Sequence, residues 1–99
     1  GLKEKVSYIG LPKRFIAGAV VFGDTDKCGE GAEVTLEGDG VKRVAVADSY
    51  GDFEFEDLTP NGRFTITVKA AGYEPCELPV RTAQDVYLGD IVMTTAGGH

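Results

Sequence analysis

Few residues of this chain have the means to do covalent or metal chemistry. Its single histidine is His99, the last residue, and its only serines are Ser7 and Ser49. Neither serine sits in a Gly-x-Ser-x-Gly turn, and no imidazole is available to take its proton, so a serine nucleophile has no base. Cys28 and Cys76 are the only thiols and show no Cys-x-x-Cys spacing. Two thiolates cannot supply the four ligands of a structural zinc or an iron–sulfur cluster. One bridge between them stays open, but reduced thiols are the expectation, which leans towards the cytoplasm and leaves the compartment undetermined. Asp24, Asp26 and Glu30 share one loop whose carboxylates could approach Ca²⁺, but the spacing is not that of an EF-hand, and an ordinary acidic loop is expected. Gly38-Asp39-Gly40 carries an acid where a phosphate cradle wants open amides, so it reads as a hairpin turn. The sequence therefore predicts no catalytic, cofactor-binding or metal-binding residue. It predicts no enzyme activity for this chain alone.

Around these residues the apolar positions repeat with a period of two. Ala32, Val34 and Leu36 alternate with Glu33, Thr35 and Glu37; Phe53 and Phe55 with Asp52, Glu54 and Glu56; Phe64, Ile66 and Val68 with Thr65, Thr67 and Lys69. Each run predicts a strand with one face in the core and one in water. Val44 and Val46 predict a similar inward pair, and Cys76 one that points inward with Leu78 and Val80. Turn residues punctuate the runs at Gly29–Gly31, Gly38–Gly40, Ser49–Gly51, Pro60–Gly62 and Ala71–Gly72. Short strands so spaced indicate an all-β, two-sheet antiparallel sandwich of about seven strands with Greek-key connections. Asp85 to Met93 changes parity at Gly89, which predicts a bulge there.

Ninety-nine residues suit one domain, which leaves no room for a large internal cleft. The longest apolar run, Phe15 to Phe22, is far too short to span a membrane and is interrupted by Gly18. A net charge of −6 spread along the chain argues against nucleic acid and anionic lipid as partners, because both reward stripes of Lys and Arg. The chain opens on Gly1 rather than Met, so a piece of a longer polypeptide is expected. Residues 1–13 read as an extension or link to an upstream domain, 14–93 as the sandwich, and 94–99 as a flexible tail.

The ordered set Ile16–Val20, Gly31–Leu36, Asp48–Phe55, then Leu58, Gly62, Phe64, Ile66, Val68 and Gly72-Tyr73 resembles the carboxypeptidase regulatory-like domain. That resemblance implies a transthyretin-like sandwich in which Asp48 and Gly51 shape a turn and Tyr73 packs over an edge. Leu11–Gly18, Gly51–Phe53 and Asp85–Ile91 more narrowly resemble the C-terminal sandwich of iron–sulfur subunits in the molybdopterin oxidoreductase family. There the clusters sit on cysteines of an upstream part, so the resemblance implies iron–sulfur clusters outside this chain and none within it. The fold also hosts hydroxyisourate hydrolase, whose site uses histidines, an arginine and a terminal Tyr-Arg-Gly-Ser; this chain ends Ala96-Gly97-Gly98-His99. Related adhesin sandwiches form a Lys–Asn isopeptide bond with the help of a Glu, where this chain has Lys69.

These readings imply an accessory domain that stabilises or docks an iron–sulfur electron-transfer subunit of a larger oxidoreductase. Its partner would be the upstream domain of the same polypeptide or a catalytic subunit. The alternative is a carbohydrate- or peptide-binding or adhesion module of a secreted protein. The first long strand singles out the contact: Ile16, Gly18 and Val20 make one face, yet Phe15, Ala17, Ala19 and Val21 make the opposite face apolar too. A strand covered on one side only should be polar outside. With the apolar stretch just upstream, the candidate interaction surface is Val6, Tyr8, Ile9, Leu11, Phe15 and Val21.

Overall fold

The computed structural model describes residues 13–96. Its strands are β1 (Arg14–Phe22), β2 (Lys27–Cys28), β3 (Glu33–Gly38), β4 (Val41–Val46), β5 (Asp52–Leu58), β6 (Arg63–Lys69), β7 (Cys76–Arg81) and β8 (Val86–Met93). There is no helix among the described residues. One sheet runs β4-β3-β6-β7. The other is built on β1, with β2 and β5 as antiparallel neighbours and β8 as a third. The expected two-sheet sandwich is therefore present, with eight strands once the two-residue β2 is counted.

The alternation does what period two requires. Ile16, Val20, Val34, Leu36, Phe53, Phe55, Phe64, Ile66, Val68, Val80, Ile91 and Met93 point inward and form one core. Thr82 is buried with them because its hydroxyl is fully used: it donates to the Thr59 carbonyl at 2.7 Å and accepts from the Gly62 amide at 2.8 Å. This clamps the β5–β6 turn onto the end of β7. Pro79 lies in β7, an edge strand, where the missing N–H leaves no ladder bond unmade.

Two expectations are corrected. β8 runs parallel to β1, pairing Ile16 with Val86 and Val20 with Ile91. A parallel pair needs a long connection, and here almost the whole domain serves as one. Val44 and Val46 point outward, 56% and 63% exposed. Their register across β3 sets them opposite Thr35 and Glu33, on the wet face, so Val41, Arg43 and Ala45 turn inward instead. Arg43 keeps its charge solvated while its guanidinium donates to the Glu56 carbonyl at 2.5 Å, bridging the two sheets. Pairing also continues past β8: the Glu74 amide donates to the Thr94 carbonyl and the Ala96 amide to the Gly72 carbonyl. These bonds reach Ala96, the last described residue.

The bulge at Gly89 is present. Between Ala17 and Ala19, β8 advances from Tyr87 to Asp90, one residue too many, and Gly89 takes a φ of 70° to absorb it. Val86 and Leu88 can thereby share the inner side with Ile91 and Met93.

Phe55, 4% exposed in the middle of β5, should be a principal anchor of so small a core. Phe55→Ala is expected to cost about 3–5 kcal/mol, whereas Val46→Thr on the wet face of β4 should stay within about 0.5 kcal/mol. Denaturant midpoints of the two variants against the parent chain check both.

Candidate interaction surface

β1 is hydrogen-bonded along both edges, so only its outer face is left to meet anything. Strand alternation puts Phe15, Ala17, Ala19 and Val21 in one row on that face, all half-buried. The registers then set their neighbours. Glu54 lies beside Ala17 on β5 and Tyr87 on β8; Asp52 and Asp90 flank Ala19; Cys28 and Val92 flank Val21. Two small alanines thus lie between taller side chains, and the result is a groove of about 640 Å³ whose lining includes Phe15, Ala17, Ala19, Tyr87 and Asp90.

One end of the groove is apolar. The Phe15 and Tyr87 rings meet edge to face, 5.2 Å between centroids at 80°, and Tyr87 is still 77% exposed. The Phe15 amide donates to Asp85 Oδ1 at 3.2 Å, which fixes where β1 begins beside β8. The middle is acidic: Asp48, Asp52, Glu54 and Asp90 line it, and among the described residues no Lys or Arg does. Asp48 is already engaged, its Oδ1 accepting from the Tyr50 and Asp52 amides at 2.9 and 3.0 Å. That cap holds the β4–β5 turn, in which Gly51 at φ 81° brings its carbonyl to the Val20 amide at 2.8 Å. A Cβ on Gly51 would lie 2.5 Å from the Val20 carbonyl oxygen, so the turn admits only glycine.

Of the residues expected to form an interaction surface, Phe15 and Val21 share this face. Val6, Tyr8, Ile9 and Leu11 lie outside the described residues. The floor of alanines was legible as the second apolar row of β1. The carboxylate walls were not, because Asp52, Glu54 and Asp90 read as ordinary wet positions until the registers set them beside that row.

The other candidate clusters do structural work. Asp24 Oδ1 accepts from the Tyr73 hydroxyl at 2.7 Å, and the Tyr73 ring stacks on Phe22 at 4.4 Å and 12°. Tyr73 thus closes the sandwich edge as expected. Asp39 and Gly40 both take positive φ, 50° and 75°, in the tight turn between β3 and β4. Cys28 is exposed on β2, its Sγ donating to the Ser49 carbonyl, and Cys76 is half-buried on β7; both are free thiols. Among the described residues no three His, Cys, Asp or Glu side chains are grouped to hold a metal ion.

The family model of the carboxypeptidase regulatory-like domain matches residues 16–94. The chain belongs to that family. This carboxypeptidase regulatory-like domain is 37% identical over 97 residues to the small subunit of pyrogallol hydroxytransferase from Pelobacter acidigallici. The match covers 92% of this chain and 34% of that subunit, so the chain spans about a third of the relative's length. Among solved structures, the 5-hydroxyisourate hydrolase of Klebsiella pneumoniae superposes with a TM-score of 0.66 at 14% identity, over 85% of this chain and 92% of that one. The shaft pilin SpaA of Lactobacillus rhamnosus GG gives 0.67 at 12% identity, over 89% and 49%. At such identities the likeness is one of fold, the transthyretin-like sandwich, shared by an enzyme and a pilin alike.

Two outcomes follow from these side chains. Alkylation of the native domain should label Cys28 well before Cys76, and denaturation without reductant should expose both to the reagent; mass spectrometry reads the order. The bond to Asp24, then partial burial and the Asp24 charge, raise the Tyr73 phenol above its usual 10. Ionising Tyr73 breaks that bond, so its stabilising effect is present below the unfolded value and lost as pH rises through the folded one. Tyrosinate absorbance, taken as the difference from Tyr73→Phe, should show this late titration, and Asp24→Asn should bring it down.

Proposed function

We propose that this domain is a non-catalytic accessory module that fixes an iron–sulfur electron-transfer subunit within a larger oxidoreductase. The observation that carries the reading is the 37% identity to a hydroxytransferase small subunit, joined to an outer β1 face that is apolar where a solvated sheet is polar. The contact would be made by Phe15 and Val21, with Val6, Tyr8, Ile9 and Leu11 from the preceding stretch, against the rest of the same polypeptide or a catalytic subunit. This chain's own residues do not fit a cluster: Cys28 and Cys76 lie on strands of different sheets, and two thiolates fall short of four. Any cluster belongs to other parts of the protein.

A carbohydrate- or peptide-binding module would present a row of exposed rings. Here the exposed aromatic side chains among the described residues are Tyr50, in the β4–β5 turn, and Tyr87, on β8. They do not belong to one strand face, which favours the docking reading.

Val21 and Val92 are cross-strand neighbours beyond the acidic part of the groove. In the polypeptide that carries this domain, Val21→Glu/Val92→Glu should abolish co-elution with its partner subunit while the domain's own unfolding midpoint changes little. Stoichiometric assembly by the double variant would overturn the reading.

A further inference from the structure

The groove on the β1 sheet has an apolar floor and walls that change along its length. Ala17 and Ala19 make the floor, β5 supplies one wall and β8 the other. At the level of Ala17 the walls are Glu54 and Tyr87; at the level of Ala19 they are Asp52 and Asp90. The bulge opens the β8 wall between these levels, because Gly89 brings no side chain and the place its Cβ would take is open space. Whatever rests on the floor therefore meets a ring at one level and a carboxylate on each side at the next, about 7 Å further along β1.

The two levels ask for different groups. At Ala19 the backbones of β5 and β8 are two strand spacings apart, about 10 Å. A planar guanidinium lying across the alanine methyl has donors on both of its sides and can bond a carboxylate on each. A lysine ammonium is a compact, strongly hydrated point charge and reaches one wall or the other. At Ala17 an apolar side chain would pack beside the Phe15–Tyr87 pair, where Tyr87 is still 77% exposed. Alternate side chains of an extended segment are also about 7 Å apart on one side. One such segment, with arginine two residues from an apolar residue, satisfies both levels together.

Other occupants fit less well. A second copy would bring a net charge of −6 to an acidic face. A neighbouring domain of the same polypeptide is kept close by its linker and has little need of charge to find its place. A separate subunit must find this face among others, and walls of one sign provide that by steering the right surface in and rejecting like charge.

We infer that the groove receives an arginine from a separate partner subunit, its guanidinium between Asp52 and Asp90 over Ala19 and an apolar side chain two residues away over Ala17. The inference rests on the docking reading and adds the partner's chemistry to it. Phe15 and Val21 keep their places in that contact, at the two ends of the β1 row, with the arginine seated between them.

Two measurements on the assembled complex test this. With Tyr87→p-benzoylphenylalanine, irradiation of the purified complex should join position 87 to another polypeptide. Mass spectrometry of the product should find arginine within about three residues of the attachment. Attachment to residues 1–12 of this chain, to a second copy, to a stretch without arginine, or to nothing overturns the proposal. In the second measurement, Asp52→Asn/Asp90→Asn keeps the shape of the walls and removes both charges. It should raise the dissociation constant of the two subunits about tenfold or more at about 0.1 M salt. The difference should shrink near 1 M, where the screening length is only about 3 Å. Both positions are exposed, so the domain's unfolding midpoint should hold. Equal affinity of parent and variant at low salt overturns the proposal. If Val21→Glu/Val92→Glu still breaks that complex, the arginine is lost and the docking reading stands. Assembly that survives Val21→Glu/Val92→Glu removes the docking reading, and this inference with it.

Discussion

The whole arrangement depends on β1 being hydrogen-bonded along both edges. β2 and β5 divide one edge between them, and β8 takes the other. Three strands distant in sequence can share β1 only because the backbone comes unusually close at Val20. Its amide donates to the Gly51 carbonyl and its carbonyl accepts from the Gly29 amide, at 2.8 and 2.6 Å. A side chain on either glycine would run into Val20. The inner side of the strand obeys the same demand for closeness. Gly18 has no side chain, and the Phe53 ring fills the space a Cβ would take, 2.9 Å away. Packing at that density leaves β1 no freedom to rotate, so its second apolar row is fixed facing out.

A strand that is apolar on both faces has a consequence for sheet order. On the inner side Ile16 and Val20 are wholly buried. On the outer side Phe15, Ala17, Ala19 and Val21 are covered only in part, by Tyr87 and by the flanking strands. Complete burial is worth about 1.5–3 kcal/mol for a side chain such as Phe15 or Val21 and less for the two alanines, still a notable fraction of the stability of a domain this size. Leaving that row partly open is a stability cost. It is the kind of local inconsistency that sequences retain where a surface has another use.

How much of this was legible depended on whether a strand had one wet face. β3, β6 and β7 alternate cleanly because water covers their outer sides, and their core residues could be assigned from parity alone; β5 does so through Phe55, after which a register shift at Asp57, φ 59°, turns Leu58 inward. β4 misled for a physical reason. It is an edge strand whose β-branched Val44 and Val46 suit a pleated surface on either face, and whose inward position is taken by Arg43, a residue that reads as exposed. Only the register with β3, Thr35 opposite Val44, decides its parity. The bulge in β8 was legible because glycine stood where the parity broke. The parallel pairing of β8 was not, since direction is set by the path from β7 and leaves no mark on alternation. On the outer face, the apolar floor was visible in β1 itself. The acidic walls came from β5 and β8, and nothing in either segment says what lies beside it.

Domains of this size are built around one core, and here that core is filled with aliphatic and aromatic side chains from both sheets. Chemistry would have to sit on the surface, where a nucleophile or metal is hard to shield from water. The described surface offers carboxylates placed for capping and hydrogen bonding: Asp48 in a turn, Asp24 on Tyr73, Asp39 on the Thr59 hydroxyl. Once those are accounted for, Asp52, Glu54 and Asp90 remain at the groove with apolar residues between them. An apolar strip edged by one sign of charge selects for a complementary strip of the other sign and disfavours like-charged surfaces. A chain with net charge −6 is repelled by most copies of itself. The same charge that discourages self-association therefore raises the selectivity of this face for a segment that brings lysine or arginine alongside its apolar side chains.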